Sequence, residues 1–288
     1  MEIDPLKDGR DPLLQIRVHY DLFRKSEKRV ADYILSAPHE IIHLSITTLA
    51  ERCQVSETSV IRLCKKIGYP GFQNLKINVA MSVVTPAKQI HEAAIESDSV
   101  ADLIQKILSA NKAAIENTMQ ILNPAQIEKA IDAIANTKRL EFYGMGGSGA
   151  VAVDAQHKFF KYGIACVAYS DTHMQAMSAS TMQKGDIAFA ISHGGSSIDL
   201  VDNLKVAKEV GATTITITGG IKSPITKVSD IVLAAIAEEQ SYKFEPMSSR
   251  IAQLCIIDVL AVGVALRRQK IVLENMRKSR QAVASKRY

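Results

Sequence analysis

No Cys-x-x-Cys pair occurs in this sequence of 288 residues. Its four cysteines, Cys53, Cys64, Cys166 and Cys255, are scattered, which suits reduced thiols in a cytoplasm better than disulfides or a zinc site. Low-complexity tracts are absent too, and 47% hydrophobic with 23% charged residues is the composition of an ordinary globular protein. The longest apolar stretch, LCIIDVLAVGVAL, is too short to span a bilayer and carries Asp258, so no membrane partner is expected. The opening MEIDPLKDGRDP is polar and acidic where a secretory signal would be apolar, and a cytoplasmic location is expected. The body also lacks a charge surplus. The net +5 divides into +2 over residues 1–84, −3 over 85–137, −1 over 138–266 and +7 in the last 22 residues. The basic tail produces the excess, so any case for nucleic acid must rest on local arrangement.

What is present falls into two textures, and the length suggests about two domains. Residues 1–84 read as short helices separated by caps. Val30 and Ile34, with Ala31 and Leu35, give SEKRVADYIL an apolar face, and Pro38 ends that segment. Ser45 or Ile46 opens ITTLAERCQ, Ser56 caps ETSVIRLCKKI, and Gly68 stops it. Residues 85–99 have no sustained period and read as a linker. From residue 100 to 288 a long amphipathic helix and a second helix precede five apolar strands, RLEFYG, ACVAY, DIAFAIS, TTITIT and IVLAAI. Their alternation with helical segments predicts a parallel sheet with helices on both faces.

In ITTLAERCQVSETSVIRLCKK the second helix places Val60, Leu63, Cys64 and Ile67 at i, i+3, i+4 and i+7. Its other face carries Ser56 at the cap and then Thr58, Ser59, Arg62, Lys65 and Lys66, the candidate DNA-binding residues. Hydroxyls at a helix N-terminus suit base edges or phosphates, Arg62 can fork onto guanine, and Lys65 and Lys66 can meet phosphates. A solvated helix face is the alternative for the same residues. Gln54 occupies the turn where such motifs often have glycine, a position that tends toward positive φ. Glu57 suits the helix dipole but repels phosphate.

The stretch FYGMGGSGAV holds G-x-G-x-x-G at Gly144, Gly146 and Gly149, the spacing of a dinucleotide site, and Asp171 follows the next apolar run as a candidate ribose ligand. A second small-residue loop, ISHGGSSIDLV, follows the third strand. In a sheet of order 2-1-3-4-5 those two loops share the crevice at the switch point, each at a helix N-terminus. Two facing Gly/Ser loops suit a small phosphorylated ligand better than a dinucleotide. Gly144, Gly146, Gly147, Ser148, Ser192, His193, Gly194, Gly195, Ser196, Ser197 and Glu245 are the candidate ligand-binding residues. A tight turn for the glycines and helix capping for the serines are the alternatives.

SEKRVADYIL, LAERCQVSETSVIRLCKKIGYPGFQNLK, FYGMGGSGAVAVDAQHKF, ISHGGSSIDLV and SSRIAQLCIIDVL, in this order, make the chain resemble the RpiR family of bacterial transcriptional regulators. The resemblance implies an all-α helix-turn-helix domain joined to a doubly wound α/β sugar isomerase (SIS) domain with a five-stranded parallel sheet. It further implies a DNA-binding regulator with no catalytic, metal or cofactor site, whose effector is a sugar phosphate such as an amino-sugar 6-phosphate or a phosphorylated keto-acid. Ser148 and Ser192 match the family's loop serines, and Ser197 stands where a threonine is usual. Gly194 departs, since many SIS domains have Ser or Thr there, and Asp199 replaces a longer acid. The partners expected are double-stranded operator DNA and, because a palindrome asks for two recognition helices, further copies in a homodimer or homotetramer.

The rival function is a phosphosugar isomerase or lyase with an appended helical domain. It needs a base at a carbon-bound proton, for which Glu245, His157, His173 and His193 are the candidates. A nicotinamide-binding module is a third possibility, resting on Asp171.

Overall fold

The computed structural model describes residues 12–83, 94–237, 247–284 and 286. The chain divides into two compact units, the break falling between Ser109 and Ala110. Residues 85–93 of the expected linker and Glu245 lie outside the described residues.

The first unit holds α1 (Pro12–Val18), a single 3-10 turn (Tyr20–Leu22), α2 (Lys25–Ser36), α3 (Pro38–Ile41), α4 (Ile46–Arg52), α5 (Glu57–Lys66) and α6 (Phe72–Val83). Caps fix these boundaries. The Ser45 hydroxyl accepts the Thr48 N–H at 3.1 Å, the Ser56 hydroxyl accepts that of Ser59 at 3.3 Å, and Gly68 ends α5 at φ +91°. Pro38 stands at the first position of α3, where its missing N–H costs nothing. Val30, Ala31 and Ile34 from α2 meet Leu49, Val60, Leu63, Cys64 and Ile67 in one buried cluster. The apolar spacing read from α5 is therefore its packing face.

The second unit is a five-stranded sheet of order β2-β1-β3-β4-β5, every pair parallel. Its strands are β1 (Leu140–Tyr143), β2 (Cys166–Tyr169), β3 (Ile187–Ser192), β4 (Thr213–Thr218) and β5 (Ile231–Ala234). All residues of β1 and β3 are buried, as expected of central strands covered on both faces. Successive residues alternate between two cores. On one face Phe142 stacks on Phe159 and meets Phe189 at a tilt, while Tyr143, Ala188 and Ala190 pack on the other. Each of those rings contributes roughly 1.5–3 kcal/mol by burial.

α7 (Val100–Ile121) and α8 (Pro124–Asn136) precede the sheet, and α9 (Gly147–Phe160), α10 (Thr172–Ser180), α11 (Ile198–Glu209) and the four-residue α12 (Pro224–Lys227) connect its strands. α13 (Ser248–Arg267) closes the core and α14 (Gln269–Ala284) carries the basic tail. α13 runs beyond the apolar stretch seen in the sequence, to 20 residues, and is long and apolar enough to cross a membrane by those measures alone. Its Ala252, Ile256, Ile257, Leu260 and Val264 are nonetheless built into the sheet's core. A side chain at Gly263 would collide with Ile131 of α8, so these two helices approach at the glycine. α14 is docked by Val272, which is buried, and by Asn275, which donates to the Tyr162 carbonyl at 3.2 Å.

Candidate functional site

The helix-turn-helix unit presents α5. Thr58 and Lys65 are exposed and Ser56 is exposed at the cap, as the spacing suggested. Ser59 is not on the outward face. It is buried, and its hydroxyl bonds Ser56 at 3.1 Å and accepts Arg62 Nη2 at 3.1 Å. Lys66 is partly exposed but is tied inward, its ammonium donating to the Glu27 carboxylate at 2.6 Å and to the Leu22 carbonyl at 3.0 Å. Arg62 lies 3.5 Å from the same carboxylate. The turn between α4 and α5 holds Gln54 at φ +52°, as its position suggested. Arg29 braces it, donating to the Gln54 carbonyl at 3.2 Å and to its side-chain oxygen at 3.3 Å. Glu57, in the first turn of α5, accepts the Thr47 hydroxyl at 2.7 Å, which occupies one of its carboxylate oxygens.

Glu27 and Arg29 are absent from the residues singled out by sequence. Glu27 is fully buried, and desolvation alone would raise its pKa. The Lys66 bond, the Arg24 N–H and the Arg62 charge reverse that and hold its carboxyl below the ordinary range.

In the second unit β1 and β3 are neighbours, Tyr143 pairing with Ala190, so the loops that leave their carboxyl ends start side by side at the switch point of the sheet. The first loop turns at Gly144. A Cβ there would stand 2.5 Å from the Ser148 carbonyl oxygen, so no side chain fits. Gly146 has φ +52° and is the residue before α9, placing Gly147 and Ser148 in its first turn. Ser148 is half-buried at this helix N-terminus, where dipole and N–H groups favour an anion. The turn itself takes two of those groups, Ser148 N–H bonding Met145 O at 3.1 Å and Gly149 N–H bonding Gly146 O at 3.0 Å.

The second loop begins at Ser192, the buried last residue of β3, whose oxygen accepts the Gly195 N–H at 3.2 Å. Among the described residues its hydroxyl donates to no acceptor. Gly195 has φ +63°, and a side chain on it would run into Ser223. Thr218 at the end of β4 donates to the His193 carbonyl at 3.3 Å, and Gly195 O accepts the Ile225 N–H at 3.0 Å. Ser196 donates to the Gly194 carbonyl at 3.2 Å. Ser197 occupies the cap position of α11 yet makes no side-chain capping bond. Helix capping therefore does not account for its hydroxyl.

Residues 11–86 match the helix-turn-helix domain of the rpiR family, and residues 133–263 match the SIS domain. An uncharacterized HTH-type transcriptional regulator of Caldanaerobacter subterraneus is 40% identical over 274 residues, covering 95% of this chain and 97% of that protein. The chain belongs to the RpiR family. HexR of Pseudomonas aeruginosa, an HTH-type transcriptional regulator, is 36% identical over 276 residues, 96% of each chain. The Vibrio vulnificus NanR protein, solved in complex with ManNAc-6P, has the same fold, with a TM-score of 0.83 over 96% of this chain and 99% of its own at 22% identity.

Within this RpiR-family chain the other candidates sort by geometry. Asp171 caps α10, its Oδ1 accepting the Met174 N–H at 2.8 Å, so the acid that a nicotinamide cofactor would need for ribose has a structural task. His157 and His173 are exposed, on α9 and α10. Thr218 at the end of β4 and Ser223 at the cap of α12, which shape the second loop, went unseen in the sequence because their signal is tertiary.

Proposed function

We propose that this RpiR-family chain is a transcriptional regulator that binds operator DNA through α5 and senses a sugar phosphate in the crevice between its two Gly/Ser loops. Residues 1–84 supply the DNA contact, 85–99 the connection, and 100–288 the effector site and basic tail. The observation that carries the reading is the pair of loops at the β1/β3 switch point. Ser148 there sits at a helix N-terminus and Ser197 at a cap position whose hydroxyl caps nothing. That arrangement offers hydroxyls and helix dipoles to a phosphate and sugar hydroxyls. Two full-length relatives named transcriptional regulators support regulation rather than turnover.

Gly144, Gly146, Gly147, Ser148 and Ser192 to Ser197 form the effector site, with Glu245 as a further ligand. A phosphorylated amino sugar is the first class to test, because NanR was solved with ManNAc-6P. Ser56, Thr58, Arg62 and Lys65 carry the DNA contact. Self-association is part of the proposal. Val100, Ile104, Leu108, Ile115 and Met119 form an exposed apolar stripe on α7, which suits a second copy. The location is cytoplasmic, where such a regulator meets DNA.

Thermal-shift screening against a panel of sugar phosphates tests the sensing half, since a ligand of the folded state raises its melting temperature. A turnover assay on each hit completes it: binding without conversion is expected, and conversion would make the chain an enzyme. For the DNA half, Arg62→Ala should weaken a duplex enriched by the wild-type protein from a random-sequence pool by about 1–3 kcal/mol. Lys65→Ala should weaken all duplexes alike and flatten the salt dependence.

A further inference from the structure

Beneath the recognition helix, Glu27 of α2 is buried with its two carboxylate oxygens put to different uses. Oε2 accepts the Arg24 N–H at 2.8 Å and the Lys66 ammonium at 2.6 Å. Oε1 faces Arg62 Nε at 3.5 Å, and among the described residues neither of these buried atoms has a nearer hydrogen-bonding partner. Lys66 already neutralises the carboxylate, so Arg62 is not needed to make its burial tolerable.

The consequence lies in the guanidinium. Arginine has five N–H donors in one plane. The Nε edge faces Glu27, and one Nη2 hydrogen is given to the Ser59 hydroxyl at 3.1 Å. Three hydrogens are left, two on Nη1 and one on Nη2, and with one from each Nη they can form an end-on pair at the partly exposed tip of the side chain. Two parallel donors in that position match the O6 and N7 acceptors of guanine. We propose that Glu27 is a positioning residue for DNA readout: it holds Arg62 by its Nε edge so that the end-on fork meets a guanine, while Lys66 stays on Glu27 and makes no phosphate contact. This rests on the reading of α5 as the DNA-binding helix. An arginine fixed from behind loses less conformational entropy on binding and rejects bases that cannot accept both bonds.

The test compares affinities of the full-length protein for the enriched duplex and for a scrambled duplex of the same composition. Both are titrated against the same preparation, so their ratio is independent of the folded fraction. Glu27→Gln keeps an acceptor for the Arg24 N–H and removes the charge that orients Arg62. The ratio should fall about tenfold in Glu27→Gln and in Arg62→Ala, and no further in the double variant. A ratio within about twofold of wild type in Glu27→Gln, with the loss intact in Arg62→Ala, would overturn the proposal and leave the α5 reading standing. An unchanged ratio in Arg62→Ala would remove that reading and the proposal with it. A second measurement needs no variant. The Arg62 Nε–H resonance should be protected from solvent exchange in the free protein and remain so on the enriched duplex, and its loss on binding would contradict the positioning role.

Discussion

In the proposed DNA contact around Arg62 the polar atoms belong to long ionisable side chains, which other side chains hold in place. In the proposed effector site around Ser148 and Ser192 they belong to short hydroxyls and backbone N–H groups, held by glycine geometry and by the strand ends. The difference teaches what each site tolerates. A charged face carried on a helix can lose one contact and remain folded, because its backbone is set by Val60, Leu63 and Cys64 beneath it. The proposed effector loops have no such reserve, since the main-chain groups offered to a ligand are those that make the turn.

Gly144→Ala should break that contrast most sharply. Its Cβ meets the Ser148 carbonyl, a backbone atom that cannot move without unwinding the first turn of α9. A loss of about 1–3 kcal/mol in the α/β unit is expected from overpacking, together with loss of any sugar-phosphate thermal shift. Denaturant unfolding with and without the sugar phosphate that shifts the wild type checks both. Ser148→Ala and Ser192→Ala come next. If the proposed site holds the effector, each removes one charge-assisted bond to it, and effector affinity should drop on the order of tenfold while the fold is retained.

A third prediction sharpens the comparison from the helical side. Lys76 of α6 is buried, donates to the Leu44 carbonyl at 2.9 Å, and burial pushes its pKa down to about 7 from 10.5. Between those values the unfolded chain binds more protons than the folded one, so stability of the first unit rises with pH over that window. The slope reaches roughly 1.4 kcal/mol per pH unit at its steepest. Lys76→Met should flatten the rise in a pH series of melting curves. A smaller change is expected from Gln54→Gly. It relieves a non-glycine residue at φ +52° but surrenders the bond from Arg29 and adds freedom to the unfolded chain, so stability should move by less than about 1 kcal/mol.

The strands were legible in the sequence as short apolar or β-branched runs alternating with helical segments, although only the central β1 and β3 are buried along their whole length. The two small-residue loops were legible because positive φ and close backbone approach leave glycine few rivals. On α5, spacing separated Val60, Leu63, Cys64 and Ile67 from the polar face correctly. It could not show that Ser59 turns inward or that Lys66 belongs to Glu27, because neither depends on α5 alone. The sequence does hold a signal for the buried ions. Glu27 keeps phase with Val30, Ala31 and Ile34, at i, i+3, i+4 and i+7, and Lys76 sits within the stripe of Phe72, Leu75, Val79 and Ala80. An ionisable residue in phase with an apolar stripe has to find a partner inside, and that reading would have found both. Glu141, alone among the apolar residues of β1, is the strand counterpart: it accepts the Tyr143 hydroxyl at 2.6 Å and the Ser178 hydroxyl at 2.7 Å, and Arg139 Nε at 2.7 Å.

The central claim is that one chain holds a DNA contact on α5 and a separable sugar-phosphate site between the β1 and β3 loops. It is tested most directly by titrating the enriched duplex into wild type, Ser148→Ala and Ser192→Ala, with and without the sugar phosphate that shifts the wild-type melting temperature. Wild-type DNA affinity should change with effector, because an effector preferring one protein state must alter the affinity coupled to it. The two variants should bind the duplex as wild type does without effector, and should need about ten times more of it for the same change. Variants that respond at wild-type effector concentrations would contradict the account, as would folded variants that no longer bind the duplex.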